Sequence, residues 1–180
     1  MTGLSGWSKG GVGKTTSPAC IGAALALQGR RVLLIDLDAQ QNLAFTLTLN
    51  EDPEVSIYDT LVKDQPLSII SIRENLDLVP ASLDLARAEI DMATMMAREG
   101  ILKSYLDEQK KQYDYILMDC SPSLGIVTTN VLVAADKLYI PLTAEALPLK
   151  GLTMLNDIVR EVKRRVNPTL ELGGGLHPVQ

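Results

Sequence analysis

The sequence predicts an α/β fold in which a doubly wound, mostly parallel sheet is covered by helices on both faces. Short aliphatic runs that could form buried strands alternate with longer helix-forming stretches along all 180 residues. Aromatic residues make up only 4% of the chain, so the core must be aliphatic, which suits strands buried on both faces. A glycine-rich turn ahead of the first helix adds a phosphate-binding loop. We therefore expect one domain over residues 1–180.

The composition narrows the class of protein further. The net charge is −5, which argues against a surface that attracts nucleic acid everywhere, although a local basic patch is compatible with it. No apolar run approaches the ~18 residues of a membrane span, and residues 1–8 lack the apolar stretch of a secretion signal. Cys20 and Cys120 are far apart and form no Cys-x-x-Cys motif, so we expect buried thiols in a reducing compartment.

The glycine-rich turn at residues 9–16 reads Lys-Gly-Gly-Val-Gly-Lys-Thr-Thr, and a weak strand over residues 1–8 should lead into it. Glycines let successive backbone N–H groups point at phosphate oxygens, and the start of the next helix favours an anion. The residues predicted to bind phosphate are Gly10, Gly11, Val12, Gly13, Lys14, Thr15 and Thr16. Lys14 can reach the β- and γ-phosphates, and the Thr15 hydroxyl can ligate Mg²⁺. The alternative is a glycine-rich turn with incidental lysines.

The first helix is predicted over residues 14–28, where alanine and leucine dominate and Gly29 ends the pattern. Pro18 is unexpected in it. If Gly13 caps the helix, Pro18 is the fifth helical residue, just beyond the first turn in which proline is tolerated. We therefore expect a cost of about 1–3 kcal/mol beside the phosphate-binding lysine.

The next strand is followed by two acids. Residues 32–35 are four consecutive aliphatic residues, which is typical of a buried parallel strand. Asp36 and Asp38 come at its carboxyl end, where open α/β sheets bind ligands, and their spacing places both on one side of an extended strand. A surface turn could also carry two aspartates, but the phosphate-binding loop upstream favours a site.

The sequence of the middle of the chain predicts helices and strands that carry no candidate site residues. Residues 56–62 suggest a short capped helix, and residues 76–80 alternate as a strand does. Residues 84–99 predict an amphipathic helix whose methionines fill the core, with a partner-binding surface as the alternative. Residues 101–112 predict another helix, which has a charged face in solvent.

A second strand that ends in an acid is predicted over residues 113–119. It would deliver Asp119 to the phosphate-binding loop, where such a carboxylate holds Mg²⁺ through water. The segment that follows, residues 120–125, reads Cys-Ser-Pro-Ser-Leu-Gly. No histidine lies near Cys120 in the sequence to act as its base, so we expect this cysteine to be structural.

The last third continues the alternation. We predict a helix over residues 123–135, a strand over 137–142, a helix over 148–166 and a strand that begins near 170. Four basic residues lie toward the end of the predicted helix 148–166: Arg160, Lys163, Arg164 and Arg165. Basic side chains there complement the helix dipole, and a contribution to DNA binding is the alternative.

Three motifs together resemble the ParA/MinD family of deviant Walker A P-loop ATPases, and within it the ParA-type partitioning proteins. They are the two-lysine loop 9–16, the Asp-x-Asp-x-Gln run 36–40, and Asp119 with the segment 120–125 after it. Ser8 replaces the first glycine of the strict P-loop pattern, and Lys9 is the second lysine that marks the deviant form. The resemblance runs from residue 9 to about 172 and implies an incomplete P-loop ATPase domain that lacks the usual C-terminal portion.

The resemblance also implies roles for individual residues. Lys9 would reach across a dimer to the partner's phosphates and stabilise transition-state charge, as an arginine finger does. Asp38 would orient the attacking water, and Lys14 would hold the transferred phosphoryl group. The residues assigned to Mg²⁺ are Thr15, Asp36 and Asp119.

As a function, the resemblance implies ATP binding, ATP hydrolysis and ATP-driven homodimerisation in chromosome or plasmid segregation. A ParB-like protein would stimulate hydrolysis. Nonspecific DNA is a further expected partner, although the C-terminal surface that usually binds it is missing. No membrane contact is expected, and the location would be the bacterial cytoplasm or nucleoid.

Two alternatives stay open at this point. A relative with another output, such as a MinD-like division-site ATPase or a capsule tyrosine kinase, would share the same motifs. A catalytically impaired remnant that binds nucleotide or a partner would be compatible with the weak first strand and with Pro18.

Overall fold

The computed structural model describes residues 15–47, 53–121, 123, 125–141 and 149–176. The predicted first strand (residues 1–8) and the loop residues from Lys9 to Lys14 lie outside the described residues. The loop prediction therefore meets the structure only at Thr15 and Thr16.

Most of the predicted helices and strands are present, and two elements that the sequence did not predict accompany them, α2 (Asn42–Thr46) and β2 (Ile70–Arg73). The helices are α1 (Thr16–Leu27), α2 (Asn42–Thr46), α3 (Ile57–Lys63), α4 (Ala88–Asp91), α5 (Ile101–Gln109), α6 (Ile126–Ala134) and α7 (Leu149–Arg165). The strands are β1 (Val32–Leu37), β2 (Ile70–Arg73), β3 (Leu76–Val79), β4 (Tyr115–Cys120), β5 (Lys137–Pro141) and β6 (Glu171–Leu176). Two short 3₁₀ helices, Leu83–Arg87 and Arg98–Gly100, flank α4.

The main sheet has the strand order β2-β3-β1-β4. The central strand β1 runs parallel to both β3 and β4, and only β2 is antiparallel to its neighbour. β5 and β6 form a second, parallel pair. The predicted α/β class with a mostly parallel sheet is confirmed, while the antiparallel strand β2 had no counterpart in the sequence prediction.

Helix α1 covers one face of the main sheet. Ala19 and Ala26 of this helix pack with Val32 and Leu34 of β1 in an apolar cluster. Gly22 approaches so closely that a Cβ added to it would lie 2.8 Å from Cδ2 of Leu34. Glycine at this position therefore lets the helix backbone lie directly on the strand.

The opposite face carries the larger core. Leu33 and Ile35 of β1 point there because side chains alternate along a strand. They share a buried cluster with Leu102 and Leu106 of α5 and with Val131 of α6. Helices thus cover both faces of the sheet, as predicted.

The structure contradicts the continuous helix predicted over residues 84–99. Only Ala88–Asp91 is α-helical, and Ala97 has a left-handed backbone with φ of 51°. Met92 is fully buried, whereas Ile90 is 77% and Met96 is 94% exposed. The core-filling interpretation is therefore right for Met92 and wrong for Met96.

Two smaller expectations are corrected as well. Because α1 begins at Thr16, Pro18 is its third residue and lies in the first turn, where the missing N–H costs little. The loss of stability predicted for Pro18 is therefore not expected at this position. Of the two cysteines expected to be buried, Cys120 is buried and Cys20 is exposed.

Candidate active site

Asp36 and Asp119 lie side by side at the carboxyl edge of the sheet. They are partners in the parallel register of β1 and β4, so their side chains lie on the same face. Asp36 is fully buried and Asp119 is 2% exposed. Strand alternation also puts Asp36 on the same face as Leu34, which is the face covered by α1. The two acids therefore face the helix that follows the predicted phosphate-binding loop.

Helix α1 carries Thr15 and Thr16 toward these acids. The helix precedes β1 and is joined to it by a short turn in which Arg30 donates its N–H to the carbonyl of Leu25 at 3.1 Å. Its 12 residues span about 18 Å, and the six residues of β1 span about 20 Å. Since the turn lies at the amino end of β1, the N-terminus of α1 lies at the carboxyl edge. This is where a helix favours an anion.

The carboxylate of Asp36 binds the backbone that follows β1. Its Oδ1 accepts the N–H of Asp38 at 3.1 Å. Its Oδ2 accepts the N–H groups of Leu43 at 3.2 Å and Ala44 at 3.3 Å, at the start of α2. Asp36 thereby ties the segment that carries Asp38 to the end of the strand. The sequence assigned Asp36 to Mg²⁺ alone and did not reveal these amide partners.

Burial raises the pKa of Asp36 to about 7, and the N–H of Asp38 opposes that rise. The negative charge of Asp119 raises the pKa further. Two neighbouring buried carboxylates disfavour each other's ionised form, so a cation bound beside them would favour the doubly charged state.

Asp38 lies one residue beyond the end of β1 and is half-buried. Its Oδ1 accepts the N–H of Gln40 at 3.0 Å. The chain turns here, because Gln41 donates its N–H to the carbonyl of Asp38 at 2.9 Å and has a left-handed backbone. Asp38 therefore belongs to a turn at the carboxyl edge and no longer to the extended strand that the sequence argument assumed.

Cys120 follows Asp119 but faces the other side of the sheet, in the larger core. Burial raises the pKa of its thiol, and the nearby charges of Asp119 and Asp36 raise it further. A thiol held in its neutral form is a poor nucleophile, which is consistent with the structural role predicted for it.

The side chains at this edge suit Mg²⁺ with a phosphate ligand. Mg²⁺ is usually held by one or two carboxylates together with waters and substrate phosphates. In the ranges that the structure describes, no group of three or more His, Cys, Asp or Glu side chains could hold a metal by itself. Asp119 and the Thr15 hydroxyl would hold Mg²⁺ together with phosphate oxygens of a nucleotide.

A family model described as an AAA domain, AAA_31, matches residues 6–172. The chain belongs to this family, which is of the ParA/MinD type. The predicted family is confirmed.

Curated relatives include chromosome-partitioning proteins and a sporulation inhibitor. The chain is 45% identical over 172 residues to the sporulation initiation inhibitor protein Soj of Bacillus subtilis, covering 93% of this chain and 68% of that protein. It is 43% identical to the chromosome-partitioning ATPase Soj of Treponema pallidum, covering 92% of this chain and 66% of that protein. Against the chromosome partitioning protein ParA of Myxococcus xanthus the identity is 40%, covering 92% of this chain and 60% of that protein. The chain thus spans roughly two thirds or less of the length of these relatives.

Solved structures share the fold. Cobyrinic acid a,c-diamide synthase from Mycobacterium smegmatis, with a bound ATP analogue and magnesium, superposes with a TM-score of 0.89 at 39% identity, covering 98% of this chain and 73% of that one. A plasmid partition protein from Borrelia burgdorferi bound to AMPPNP gives a TM-score of 0.81 at 30% identity, covering 95% of this chain and 72% of that one. These neighbours confirm the P-loop ATPase fold, and the first of them holds an ATP analogue together with magnesium.

No helix in the described part of the chain has both the length and the apolar character that crossing a membrane requires.

Proposed function

We propose that the protein binds ATP with Mg²⁺, hydrolyses it, and acts as an ATP-dependent dimer in chromosome or plasmid segregation. The observation that carries this proposal is the in-register pair of buried acids, Asp36 and Asp119, on the sheet face covered by α1. They lie at the edge to which α1 brings Thr15, the last residue of the predicted phosphate-binding motif before the helix. The relatives named as partitioning proteins supply the biological process.

Each residue has a defined task in this proposal. The loop from Gly10 to Thr16 holds the phosphates through backbone N–H groups, and Lys14 binds the β- and γ-phosphates. Thr15 and Asp119 hold Mg²⁺, which neutralises phosphate charge when bound. Asp36 supports that site indirectly, because its carboxylate holds the turn that contains Asp38.

Hydrolysis then depends on position and charge. Asp38 orients the attacking water at the carboxyl edge, and Lys9 of the partner subunit stabilises the charge that develops on the γ-phosphate. The reaction needs no covalent intermediate on the protein. Turnover that depends on a partner's lysine should rise with protein concentration.

The proposed partners come from the family. A second copy of the chain completes the site, a ParB-like protein stimulates hydrolysis, and the location is the bacterial cytoplasm or nucleoid. Nonspecific DNA is a further proposed partner. Of the four basic residues near the end of α7, Arg164 and Arg165 both bind Glu161, at 2.8 Å and 2.6 Å. These local ion pairs favour the structural interpretation of the basic end.

A second candidate is a nucleotide-binding module that does not hydrolyse ATP. The observation that favours it is an apolar groove of about 320 Å³ in the described C-terminal part of the chain, between α7 and the second sheet, which is lined partly by Leu138, Leu155 and Leu172. In this candidate function, the groove would bind a partner, and Asp38 would not need to orient water because no ATP is hydrolysed.

The test is ATP hydrolysis with Mg²⁺ by the purified chain, measured at several protein concentrations beside Asp38→Ala and Lys9→Ala. Matched controls are Asp107→Ala, on the exposed face of α5, and Lys111→Ala, just beyond it. Turnover per protein should rise with concentration, disappear in both site variants and persist in both controls. ATP binding without turnover in the wild type would support the second candidate. Lack of ATP binding by the wild type would refute both.

A further inference from the structure

Gln41 has a left-handed backbone at the point where the chain leaves the candidate active site, with φ of 56° and ψ of 24°. In this conformation the Cβ of an L-residue lies too close to the following carbonyl oxygen, so glycine and asparagine are the residues that adopt it readily. Gln41 is only 7% exposed, so it adopts this conformation in a packed part of the chain. A strained residue persists where the surrounding contacts determine its conformation, and such residues are common at functional sites.

The contacts before this bend belong to Asp38. The parallel register of β1 with β4 ends at Leu37, so strand pairing does not extend to Asp38. On the strand side, its N–H is held by Asp36. On the other side, its Oδ1 accepts the N–H of Gln40 at 3.0 Å, and its carbonyl accepts the N–H of Gln41 at 2.9 Å. These last two bonds close a turn that ends at Gln41, and they hold both the backbone and the carboxylate of Asp38.

The contacts after the bend belong to Asp36. Its Oδ2 accepts the N–H groups of Leu43 and Ala44, and Gln41 is the cap residue of α2. Gln41 therefore lies between two pairs of N–H groups that bind different acids. Its φ and ψ set the direction of one pair relative to the other, because only Asn42 separates it from Leu43. Another backbone conformation at Gln41 would keep one pair of bonds in place only by displacing the other.

We propose that Gln41 is a positioning residue for Asp38 and that it acts through its backbone conformation. The left-handed bend lets the turn bind Asp38 while the start of α2 binds Asp36. The carboxylate of Asp38 is thereby held in one place relative to the buried end of β1. The inference rests on the proposed function, since Asp38 orients water only if the chain hydrolyses ATP. It adds that a residue outside the three sequence motifs sets the rate of hydrolysis.

The test uses the full chain with Gln41→Val, Gln41→Gly and Gln41→Asn. Valine is smaller than glutamine, but its branched Cβ disfavours a left-handed backbone. Glycine and asparagine adopt that backbone readily, and they remove or shorten the side chain. Three properties are measured for each variant. They are ATP turnover, binding of a fluorescent ATP analogue with Mg²⁺, and amide hydrogen exchange in the peptide that contains residues 40–44.

The matched control is Ala97→Val. Ala97 has nearly the same left-handed backbone, with φ of 51° and ψ of 26°, and it is exposed between α4 and α5. This variant introduces the same steric conflict outside the candidate active site. It therefore separates a general loss of stability from an effect on the turn around Asp38.

For Gln41→Val we expect turnover to fall roughly 10- to 100-fold, because misplacing a catalytic group by about 1 Å can slow a reaction that much. Binding of the analogue should stay at the wild-type level, since Asp38 acts on the water and does not hold the nucleotide. Amide exchange over residues 40–44 should be faster. Gln41→Gly and Gln41→Asn should recover both turnover and amide protection, and Ala97→Val should match the wild type in turnover.

Each contrary result has a distinct meaning. Wild-type turnover in Gln41→Val, or slower turnover without faster exchange, would overturn the proposal. Loss of turnover in both Gln41→Gly and Gln41→Asn would assign the role to the side chain and overturn it as well, and these two variants decide the matter if Gln41→Val does not fold. An equal loss of turnover in Ala97→Val would reduce the effect to general stability. A wild-type chain that binds ATP without hydrolysing it would refute the proposed hydrolysis, and the role of Gln41 would fall with it.

Discussion

The carboxyl edge of β1 and β4 and the segment Leu83–Gly100 are both organised by carboxylates, but in different ways. At the edge, Asp36 and Asp119 are placed by strand register and are buried. In the segment, Glu89 and Asp91 belong to the one-turn helix α4 within otherwise irregular chain, and they accept the N–H of Ile126 and the hydroxyl of Tyr58. The contrast shows that a regular strand can be inferred from the pattern of its sequence. The conformation of an irregular segment depends on its contacts with other parts of the chain.

The largest expected effect tests the difference in burial between the two regions. Leu34, beneath α1, is fully buried, whereas Ile90, in the irregular segment, is 77% exposed. Leu34→Ala should lower the free energy of unfolding by about 2–5 kcal/mol, because it leaves a cavity. Ile90→Ala should change the free energy by less than about 0.5 kcal/mol. Urea unfolding of both variants checks this, and similar losses would mean that Ile90 is covered in solution.

A smaller effect on stability tests whether the carboxylate of Asp36 holds the turn around Asp38. Asp36→Asn keeps an oxygen that can accept the N–H groups of Leu43 and Ala44, and it removes a charge that burial disfavours. Asp36→Ala removes both, leaving two buried donors unsatisfied, and should be about 2 kcal/mol less stable than Asp36→Asn. The comparison is made by urea unfolding at one pH without magnesium. Equal stability would indicate that other contacts hold the turn around Asp38.

The smallest effect concerns α3, whose start is determined locally. Asp59 accepts the N–H of its own cap residue Ser56 at 2.8 Å and binds Lys63 at 2.7 Å. Partial burial would raise the pKa of Asp59, but the bonds from Lys63 and Ser56 prevail and lower it. Asp59→Asn should therefore cost about 1 kcal/mol near neutral pH.

The sign of the pH dependence follows from that lowered pKa. The ionised form of Asp59 is favoured in the folded state, so its contribution is complete above the unfolded pKa of about 4 and is lost as the pH falls through the lower folded value. The stability difference between wild type and Asp59→Asn should shrink below about pH 4. Unfolding curves at neutral and acidic pH measure it, with Asp107→Asn, an exposed acid of α5, as the control. A constant difference would contradict the assignment.

The same physical distinction explains which sequence predictions succeed. The strands β1, β3 and β4 follow from aliphatic runs and alternation, and α3 follows from a cap within four residues. The apolar spacing of residues 84–99 is compatible with a continuous helix, which is why the prediction fails. In the structure the helix is interrupted, and its side chains contact elements outside the segment. Asp91, for example, accepts a hydrogen bond from the hydroxyl of Tyr58 in α3 at 2.7 Å.

The sequence by itself determined the fold class, the family and the candidate site residues, because glycine spacing and acid-ending strands are local patterns tied to one kind of chemistry. Only the tertiary structure decided the antiparallel strand β2, the exposure of Cys20 and the amides bound by Asp36. The contact between Glu89 and Ile126 belongs to this second group. A side chain's periodicity tells which way it faces, but what it meets there is set by packing between distant parts of the chain.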